Sequence, residues 1–224
     1  MTLYSYCVRH DGGSAPNPFG GLCTLVICKP GIRRAAQVGD WIVGTGSKVS
    51  PVGDTAGHVI YAMRVTEKLS LAAYDRRCME TLKAKIPDVH SPRREDQVGD
   101  AIWHYPNPME APVSRPGDHG EPNRKTDLGG LNALLSADFV YFGKNAPRLP
   151  GHLLGLVKQG PGHRAASNQH LIGPFLSWMN DQPRGLRGEP QQWQNLKSKG
   201  CSAACAQHAD EDDEDAHCHE SPCS

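Results

Sequence analysis

The sequence predicts an α+β fold, a small mixed and partly closed β-barrel with short helices at its periphery. Apolar stretches are short and rich in β-branched and aromatic residues, which is typical of strands. The stretches with helical periodicity are also short, and long loops rich in proline and glycine join the two kinds of element. This arrangement does not fit a doubly wound sheet, in which strands and longer helices alternate regularly.

Strands are predicted at five places. Residues 3–9 alternate aromatic and small side chains, and residues 22–28 form a continuous apolar run that is typical of a buried strand. A Gly-Asp turn leads into the third strand, residues 41–44, which ends in a glycine loop. Residues 58–65 and 138–142 complete the set, because both are rich in β-branched and aromatic residues.

Helices are predicted between and after these strands. Residues 32–36 fit one helical turn with two arginines outward, and residues 69–82 carry apolar side chains at the spacing of an amphipathic helix. Residues 150–158 and 171–180 predict two further short helices. Residues 106–130 have no periodicity and many turn-forming residues, so they are predicted to form a long loop.

Charge divides the chain into a body, residues 1–199, and a tail, residues 200–224. The body holds all 24 lysines and arginines but 17 of the 24 acidic residues, so its net charge is +7 and that of the tail is −7. A basic body suits an anionic partner such as a nucleic acid or a nucleotide, although +7 is also an ordinary charge for solubility. We predict one folded domain over 1–199 and a disordered acidic tail over 200–224.

Cysteine usage and hydropathy indicate the compartment. The four cysteines of the body, Cys7, Cys23, Cys28 and Cys78, stand in apolar surroundings and are interpreted as small buried side chains in a reducing environment. No run approaches the ~18 apolar residues of a membrane helix. The first residues also lack the basic and apolar regions of a secretion signal. The expectation is a cytoplasmic protein with no membrane partner.

Two loops carry groups that suit a nucleobase. Asn17 stands between two prolines, and its amide would read a base edge while Phe19 stacks on the base. Thr45 and Ser47 lie in a glycine loop at the end of a strand and would hydrogen-bond the same base. The alternative for Asn17 is a turn residue that caps its own backbone, and the alternative for the glycine loop is a plain hairpin connection.

Basic residues at three further places suit phosphate binding or acid–base chemistry. Arg64 on a predicted strand and the adjacent His163 and Arg164 on a Gly-Pro loop are candidate phosphate contacts. His163 and His104 are the candidate general bases, because imidazole titrates near neutrality. The alternative for Arg64 is a solvated charge on a strand, and the alternative for His163 and Arg164 is an ordinary exposed pair.

No standard catalytic or cofactor motif is present in the sequence. A phosphate-binding loop, a complete dinucleotide fingerprint, a nucleophile elbow and a His-Glu-x-x-His zinc motif are all missing. We therefore predict no cofactor. The tail offers soft ligands that would bind zinc or nickel loosely, although their spacing matches no zinc finger; they are Cys201, Cys205, His217, Cys218, His219 and Cys223.

Several short motifs together resemble one protein family. They are Tyr4-Ser-Tyr6, Ala15-Pro-Asn-Pro-Phe19, Cys28-Lys-Pro30, Val38-Gly-Asp-Trp41, Gly44-Thr-Gly46, Tyr61-Ala-Met-Arg-Val-Thr66, Asp138-Phe-Val-Tyr-Phe-Gly143 and Gly162-His163. The set resembles the DNA base hypermodification proteins of bacteria and phages, whose domain is the second type of nucleotide modification associated domain. The resemblance spans about residues 1–180. It implies a role in or beside systems that modify DNA bases, with DNA or nucleotides and other components of such a system as partners.

The first Gly-Asp turn and the Val-Thr-Glu exit of the strand at 58–65 also resemble the PUA-like superfamily, which includes domains that bind modified bases.

The residues and the two resemblances lead to three hypotheses. The first is a protein that binds a nucleotide or DNA base during base modification. The second is an enzyme that acts on a nucleotide or modified base with a histidine as general base. The third is a metal-binding or protein-interaction role of the tail.

Overall fold

A computed structural model describes residues 1–107 and 110–193. The predicted tail, with all of its candidate metal ligands, lies outside the described residues. The strands are β1 (Leu3–Val8), β2 (Cys23–Leu25), β3 (Trp41–Gly46), β4 (Val59–Arg64), β5 (Glu67–Ser70), β6 (Trp103–His104), β7 (Val113–Ser114), β8 (Asn132–Ser136), β9 (Asp138–Tyr141), β10 (His163–Arg164) and β11 (Gly185–Leu186).

The helices are short. The α-helices are α1 (Pro30–Ala35), α2 (Leu71–Glu80), α3 (Arg94–Gln97), α4 (Arg124–Gly129) and α5 (Ile172–Asn180). Further turns are 3₁₀ helices at Lys83–Lys85, Glu121–Asn123, Gly143–Asn145, Gly151–Leu156 and Ala166–Leu171.

The largest sheet has six strands in the order β10-β1-β3-β4-β9-β11. β1 runs parallel to β3 and β9 runs parallel to β11, whereas the other neighbours are antiparallel, so the sheet is mixed. A three-stranded antiparallel sheet has the order β2-β8-β5, and β6 pairs with β7.

The predicted α+β class is confirmed, since mixed sheets and short helices make up the regular structure. Within the described residues, the pairing of the six-stranded sheet ends at β10 on one side and at β11 on the other. A closed barrel would instead pair these two edges. Residue patterns within a strand predict that a strand forms, but they carry no information about which edges meet.

The six-stranded sheet packs on both faces. Successive residues of a strand point to opposite sides of a sheet, and β1 shows this clearly. Leu3 packs on the side covered by α5, in a cluster with Phe175. Tyr6 packs on the other side, with Tyr61 and Tyr141. The face of the sheet opposite α5 therefore carries three neighbouring tyrosines.

All four predicted helices are present in the structure. The turn predicted at 32–36 is α1, but only one of its two arginines points outward: Arg34 is exposed, whereas Arg33 is buried because its guanidinium donates to backbone carbonyls. The amphipathic pattern at 69–82 corresponds to α2, whose first turn is capped by the Ser70 hydroxyl accepting from the Ala73 N–H at 3.2 Å. The predicted helix at 150–158 is the 3₁₀ helix Gly151–Leu156, and the last one is α5. No helix in the described part of the chain has both the length and the apolar composition needed to cross a membrane.

The segment 106–130 contains more regular structure than the predicted loop. β7 lies in its first half, and α4 lies at its end. α4 has only six residues and no apolar periodicity, so its sequence carries no helical signal. The segment matters for function because it brings His119 and Asp127 against the chain that leaves β2.

Candidate active site

A thiol, an imidazole and a carboxylate lie in contact where the chain after β2 meets the segment that carries α4. Cys28 Sγ is 3.5 Å from His119 Nε2, and His119 Nδ1 is 2.7 Å from Asp127 Oδ2. Cys28 is half-buried, whereas the side chains of His119 and Asp127 are 4% and 0% exposed. We call these three residues the thiol cluster. A potential nucleophile, a base and an orienting carboxylate in this order are the parts of a nucleophilic catalytic site.

The backbone at the thiol has an unusual conformation. Cys28 and Lys29 have φ angles of 57° and 41°, immediately before α1. L-residues other than glycine rarely adopt this left-handed region, so the surrounding structure must hold them there. The Cys28 N–H donates to Asp127 Oδ1 at 2.9 Å, and Arg33 Nε donates to the Cys28 carbonyl at 2.6 Å. Side chains from two other elements thus fix the backbone that carries the thiol.

Arg33 connects the two elements that form the cluster. Its side chain is fully buried, and its guanidinium donates to the carbonyls of Asp127 at 2.6 Å and Asn132 at 3.1 Å. A Cβ at Gly130 would lie 2.1 Å from Arg33 Cζ, so only glycine leaves room for the guanidinium. The buried charge is distributed over carbonyl oxygens, which compensates for its lost hydration.

Trp103 of β6 gives the cluster a second support. Its indole N–H donates to Asp127 Oδ2 at 3.2 Å, the same oxygen that faces His119. On the other side of the indole, Arg124 Cζ lies 4.8 Å from the ring centroid, within cation–π distance. The Asp127 carboxylate therefore has contacts to three groups, and its orientation is fixed.

A glycine-rich loop borders the cluster on the side of His119. Ser14 Oγ donates to the carboxylate of Asp118, the residue before His119. A Cβ at Gly12 would lie 3.3 Å from His10 Cε1 and 3.6 Å from Asp118 Oδ2, so the loop lies directly against this turn. Loop 10–14 and the turn at Asp118 form one surface beside the imidazole.

Asp11 of the same loop is a buried carboxyl group. It accepts a hydrogen bond from the Tyr141 hydroxyl and another from the Gln191 N–H at 3.0 Å. Its own N–H donates to Gln192 Oε1 at 2.5 Å. Burial raises the pKa of Asp11 to about 6, against the lowering effect of the two hydrogen bonds that it accepts. The pKa of this carboxyl group therefore lies in the weakly acidic range.

Lys29 packs against a pair of buried tyrosines. The hydroxyl oxygens of Tyr6 and Tyr61 are 2.9 Å apart, and Lys29 Nζ lies 5.0 Å from the centroid of the Tyr6 ring. Burial raises the pKa of both tyrosines above the ordinary value of 10, so they are neutral hydrogen-bonding groups at physiological pH. The ammonium group of Lys29, the residue next to Cys28, is a local positive charge.

Asn17 and Phe19 lie inside the protein. The Asn17 amide donates to the Val98 carbonyl at 2.8 Å, and its oxygen accepts from Lys85 Nζ at 2.7 Å and from the Phe19 N–H at 3.2 Å. The Phe19 ring lies 5.8 Å from that of Trp193. Both side chains therefore have internal contacts that shape the loop.

Thr45 and Ser47 also make hydrogen bonds within the fold. Thr45 Oγ1 donates to the Tyr6 carbonyl at 3.3 Å, and Ser47 Oγ accepts from the Val49 N–H at 3.2 Å. Arg64 is exposed and lies at the end of β4 remote from the residues that pair with Thr45. The sheet therefore does not bring Arg64 to this loop.

His163 and Arg164 form the short edge strand β10. His163 pairs with Tyr6 in the register of the sheet, and its ring lies 5.7 Å from that of Tyr4. Arg164 Nε donates to Ser167 Oγ at 3.1 Å. β1 thus lies between the strand of His163 and the strand of Thr45, which brings these two predicted residues to its two sides.

His104 belongs to a separate polar group. Its Nδ1 is 3.0 Å from Asp75 Oδ2 and 2.9 Å from Arg115 Nη2, and Arg115 Nη1 is 2.7 Å from Asp75 Oδ1. The His104 side chain is 31% exposed, whereas Asp75 is nearly buried. This is a second pairing of a histidine with a carboxylate, without a thiol among its contacts.

Sequence reasoning missed the thiol cluster. The prediction of buried cysteines is confirmed for Cys23 and Cys78, but Cys7 and Cys28 are only half-buried. The one available signal was the Cys28-Lys-Pro30 motif, in which the proline starts α1. His119 and Asp127 lie in the segment predicted as loop, where no local pattern marks them.

The described residues hold no cluster of metal-ligating side chains. Throughout the described ranges, no group of three or more His, Cys, Asp or Glu side chains is arranged to hold a metal ion. The loose zinc or nickel site predicted for the tail falls on residues that the structure does not describe.

Comparison with known proteins places the chain in a family. The model of nucleotide modification associated domain 2 matches residues 1–197. No curated protein and no solved structure matches the chain.

Proposed function

The chain belongs to the nucleotide modification associated domain 2 family, and on this premise we propose that it binds a nucleotide or a DNA base and acts in base hypermodification. One observation carries the proposal: the half-buried Cys28 has its thiol 3.5 Å from the imidazole of His119, and the next residue, Lys29, holds its ammonium 5.0 Å from the centroid of the Tyr6 ring. The other components of a base-modification system are its proposed partners.

Charge supports a nucleotide as the ligand. Lys29, the residue that follows Cys28 in the chain, offers a positive charge for a phosphate. The body carries a net charge of +7, which raises the local concentration of an anionic ligand and speeds its association.

The residues proposed from sequence remain candidates for this binding. The guanidinium groups of Arg64 and Arg164 and the imidazole of His163 are the proposed phosphate contacts. Four further residues are proposed to contact the base: Asn17, Phe19, Thr45 and Ser47. To do so, these side chains would give up the internal hydrogen bonds or ring contacts described above. We also propose a PUA-like relationship, which rests on the Gly-Asp turn before β3 and the Val-Thr-Glu exit of β4.

The binding proposal is tested by titration of the full-length protein. Nucleoside monophosphates and short single-stranded DNA, with and without modified bases, are added across a salt series while tryptophan fluorescence is recorded. Lys29→Gln is compared with Lys83→Gln, which removes the same charge from an exposed position in a separate 3₁₀ helix. We expect Lys29→Gln to weaken nucleotide binding about fivefold or more, and Lys83→Gln to match the wild type.

The salt series decides whether a base is recognised. Binding through phosphates alone falls steeply with salt and does not depend on the base. A preference for one base form that persists at moderate salt supports the proposal. Equal, salt-sensitive binding of all ligands, unchanged by Lys29→Gln, contradicts it.

The second candidate function is an enzyme with a histidine base, and the Asp127–His119 pair favours it. A carboxylate 2.7 Å from Nδ1 fixes the ring so that Nε2 is available for proton transfer. The test is conversion of nucleotides or modified DNA by the full-length protein, followed by mass spectrometry of the products. Loss of conversion in His119→Gln supports His119, whereas loss in His163→Gln or His104→Gln would support the bases proposed from sequence.

A further inference from the structure

We infer that Cys28 is the nucleophile of an acyl-transfer reaction, with His119 as its general base and Asp127 as the residue that positions the imidazole. The inference rests on the proposed function, because it takes an acyl substituent of a nucleotide or nucleobase as the substrate. It goes beyond that function by assigning covalent chemistry to one thiol.

The geometry of the three groups carries the inference. The thiol lies 3.5 Å from one ring nitrogen, and the carboxylate lies 2.7 Å from the other. A thiol, an imidazole and a carboxylate that contact one another in this spatial order recur in nucleophilic hydrolases and transferases. The arrangement arises on unrelated folds. Cys28 comes from a segment about 90 positions away from the one that carries His119 and Asp127, so the arrangement is not a by-product of one helix or one turn.

The other cysteines of the described residues lack this environment. Cys23 and Cys78 are buried, and burial raises the pKa of each thiol to about 12. Cys7 is half-buried like Cys28, but its Sγ faces the carbonyl of Gly46 at 3.8 Å. Cys28 alone among these four has an imidazole in contact and a backbone in the left-handed region.

The local conformation also fits a nucleophile. Left-handed backbone at a non-glycine residue is unfavourable and persists only where other contacts enforce it. Asp127 and Arg33 supply those contacts at the N–H and the carbonyl of Cys28. Because His119 and Asp127 are buried while Cys28 is partly exposed, a substrate would reach the cluster at the sulfur.

The reaction balances without an oxidant or a metal. His119 Nε2 takes the thiol proton, and the sulfur attacks the carbonyl carbon of an amide or ester. The carbon–nitrogen or carbon–oxygen bond then breaks, and the leaving group takes the proton from the imidazolium. Water gives a proton to His119 and attacks the thioester carbon. The carbon–sulfur bond then breaks and releases the carboxylic acid, and the sulfur takes the proton back from the imidazolium, which restores the thiol. An amine that replaces water in the last step receives the acyl group.

The experiment uses p-nitrophenyl acetate as an acyl donor and the full-length protein. We expect a rapid release of about one equivalent of p-nitrophenol per chain, followed by slower turnover. Peptide mapping by mass spectrometry should place the acetyl group on Cys28. Cys28→Ala and the closer replacement Cys28→Ser should both lose the burst, and Cys7→Ala should keep it.

The role of the histidine is tested on the same thiol. His119→Gln should slow acetylation of Cys28 about 100-fold, and added imidazole should restore part of the rate in His119→Gly. Circular dichroism of each variant shows whether it is folded. Equal acetylation of Cys7 and Cys28, or a rate at Cys28 that folded His119→Gln leaves unchanged, overturns the inference.

The outcomes also separate this inference from the binding proposal. If Cys28 is selectively acetylated but neither nucleotides nor DNA bind or protect it, the thiol chemistry stands and the nucleotide substrate is wrong. If nucleotides bind to wild type and Cys28→Ala alike, and Cys28 reacts no faster than Cys7, the binding stands and the nucleophile is wrong.

Discussion

Asp127 accepts a hydrogen bond from the backbone N–H of Cys28 at 2.9 Å, across 99 positions of the sequence. Its other carboxylate oxygen faces His119 at 2.7 Å. One buried side chain therefore fixes both the conformation of the residue that carries the thiol and the orientation of the imidazole. The stability of the fold and the reactivity of the thiol are consequently linked through Asp127.

Asp127→Asn should weaken both properties. The amide replaces one acceptor oxygen with a donor, so at least one of the partners Cys28, His119 and Trp103 loses its bond. Loss of a buried hydrogen bond to a charged group costs about 2 kcal/mol. Urea unfolding followed by tryptophan fluorescence measures the stability, and iodoacetamide labelling of Cys28 measures the reactivity.

The control for Asp127 is Asp138→Asn, which removes a half-exposed partner of Arg184. An exposed ion pair contributes about 0–1 kcal/mol, so this variant should stay close to the wild type in both measurements. Equal losses in the two variants would contradict the role assigned to Asp127.

The carboxyl of Asp11 should make stability depend on pH in the weakly acidic range. Burial raises its pKa from 3.8 to about 6, so the folded protein holds a proton that the unfolded chain has already released. This contribution to stability is complete below pH 4, falls as the pH rises to 6 and is constant above. The change amounts to about 3 kcal/mol.

The measurement for Asp11 compares unfolding free energies of wild type and Asp11→Asn between pH 3.5 and 7. Stability of the wild type relative to the variant should fall by about 3 kcal/mol as the pH rises. Asp54→Asn, at an exposed loop position, provides the control and should show a constant difference. A constant difference for Asp11→Asn as well would show that Asp11 is not buried as described.

Lys85 should be among the most sensitive structural residues. It is 1% exposed, and its ammonium donates to the carbonyls of Asn17 and Leu22 and to Asn17 Oδ1, all between 2.7 and 2.9 Å. Lys85→Met should lower stability by about 3 kcal/mol, because three buried acceptors lose their donor. Lys83→Met, an exposed change two residues earlier, should cost less than about 0.5 kcal/mol. Similar unfolding midpoints for Lys85→Met and Lys83→Met would contradict this prediction.

Gly130→Ala should disturb the thiol cluster without touching it. The new Cβ would lie 2.1 Å from Arg33 Cζ, and the buried guanidinium is held by several carbonyls, so it has little freedom to move. We expect a loss of about 2–3 kcal/mol and altered labelling of Cys28. Gly129→Ala is the matched control, since the atom nearest to a Cβ at that position is Arg34 Nη1 at 3.9 Å. If Gly130→Ala unfolds and labels like Gly129→Ala, the assigned contact is wrong.

Asn17 illustrates what a local pattern reveals and what it misses. The prolines around it predict a stiff loop, and the buried, hydrogen-bonded Asn17 fits that part of the prediction. The sequence also suggested a side chain free to read a base. The actual partner of its amide oxygen, Lys85, lies 68 positions away and cannot be inferred from neighbouring residues.

By itself, the sequence determined the α+β class, the main strands, α2, α5, the family and the separation of charge between body and tail. These properties depend on local periodicity, turn residues and composition, all of which can be read along the chain. Tertiary structure decided how the sheet edges are arranged, and it brought Cys28, His119 and Asp127 together. The reason is physical: hydrogen bonds between residues about 90 to 100 positions apart depend on how the elements pack, and packing leaves no periodic trace in the sequence.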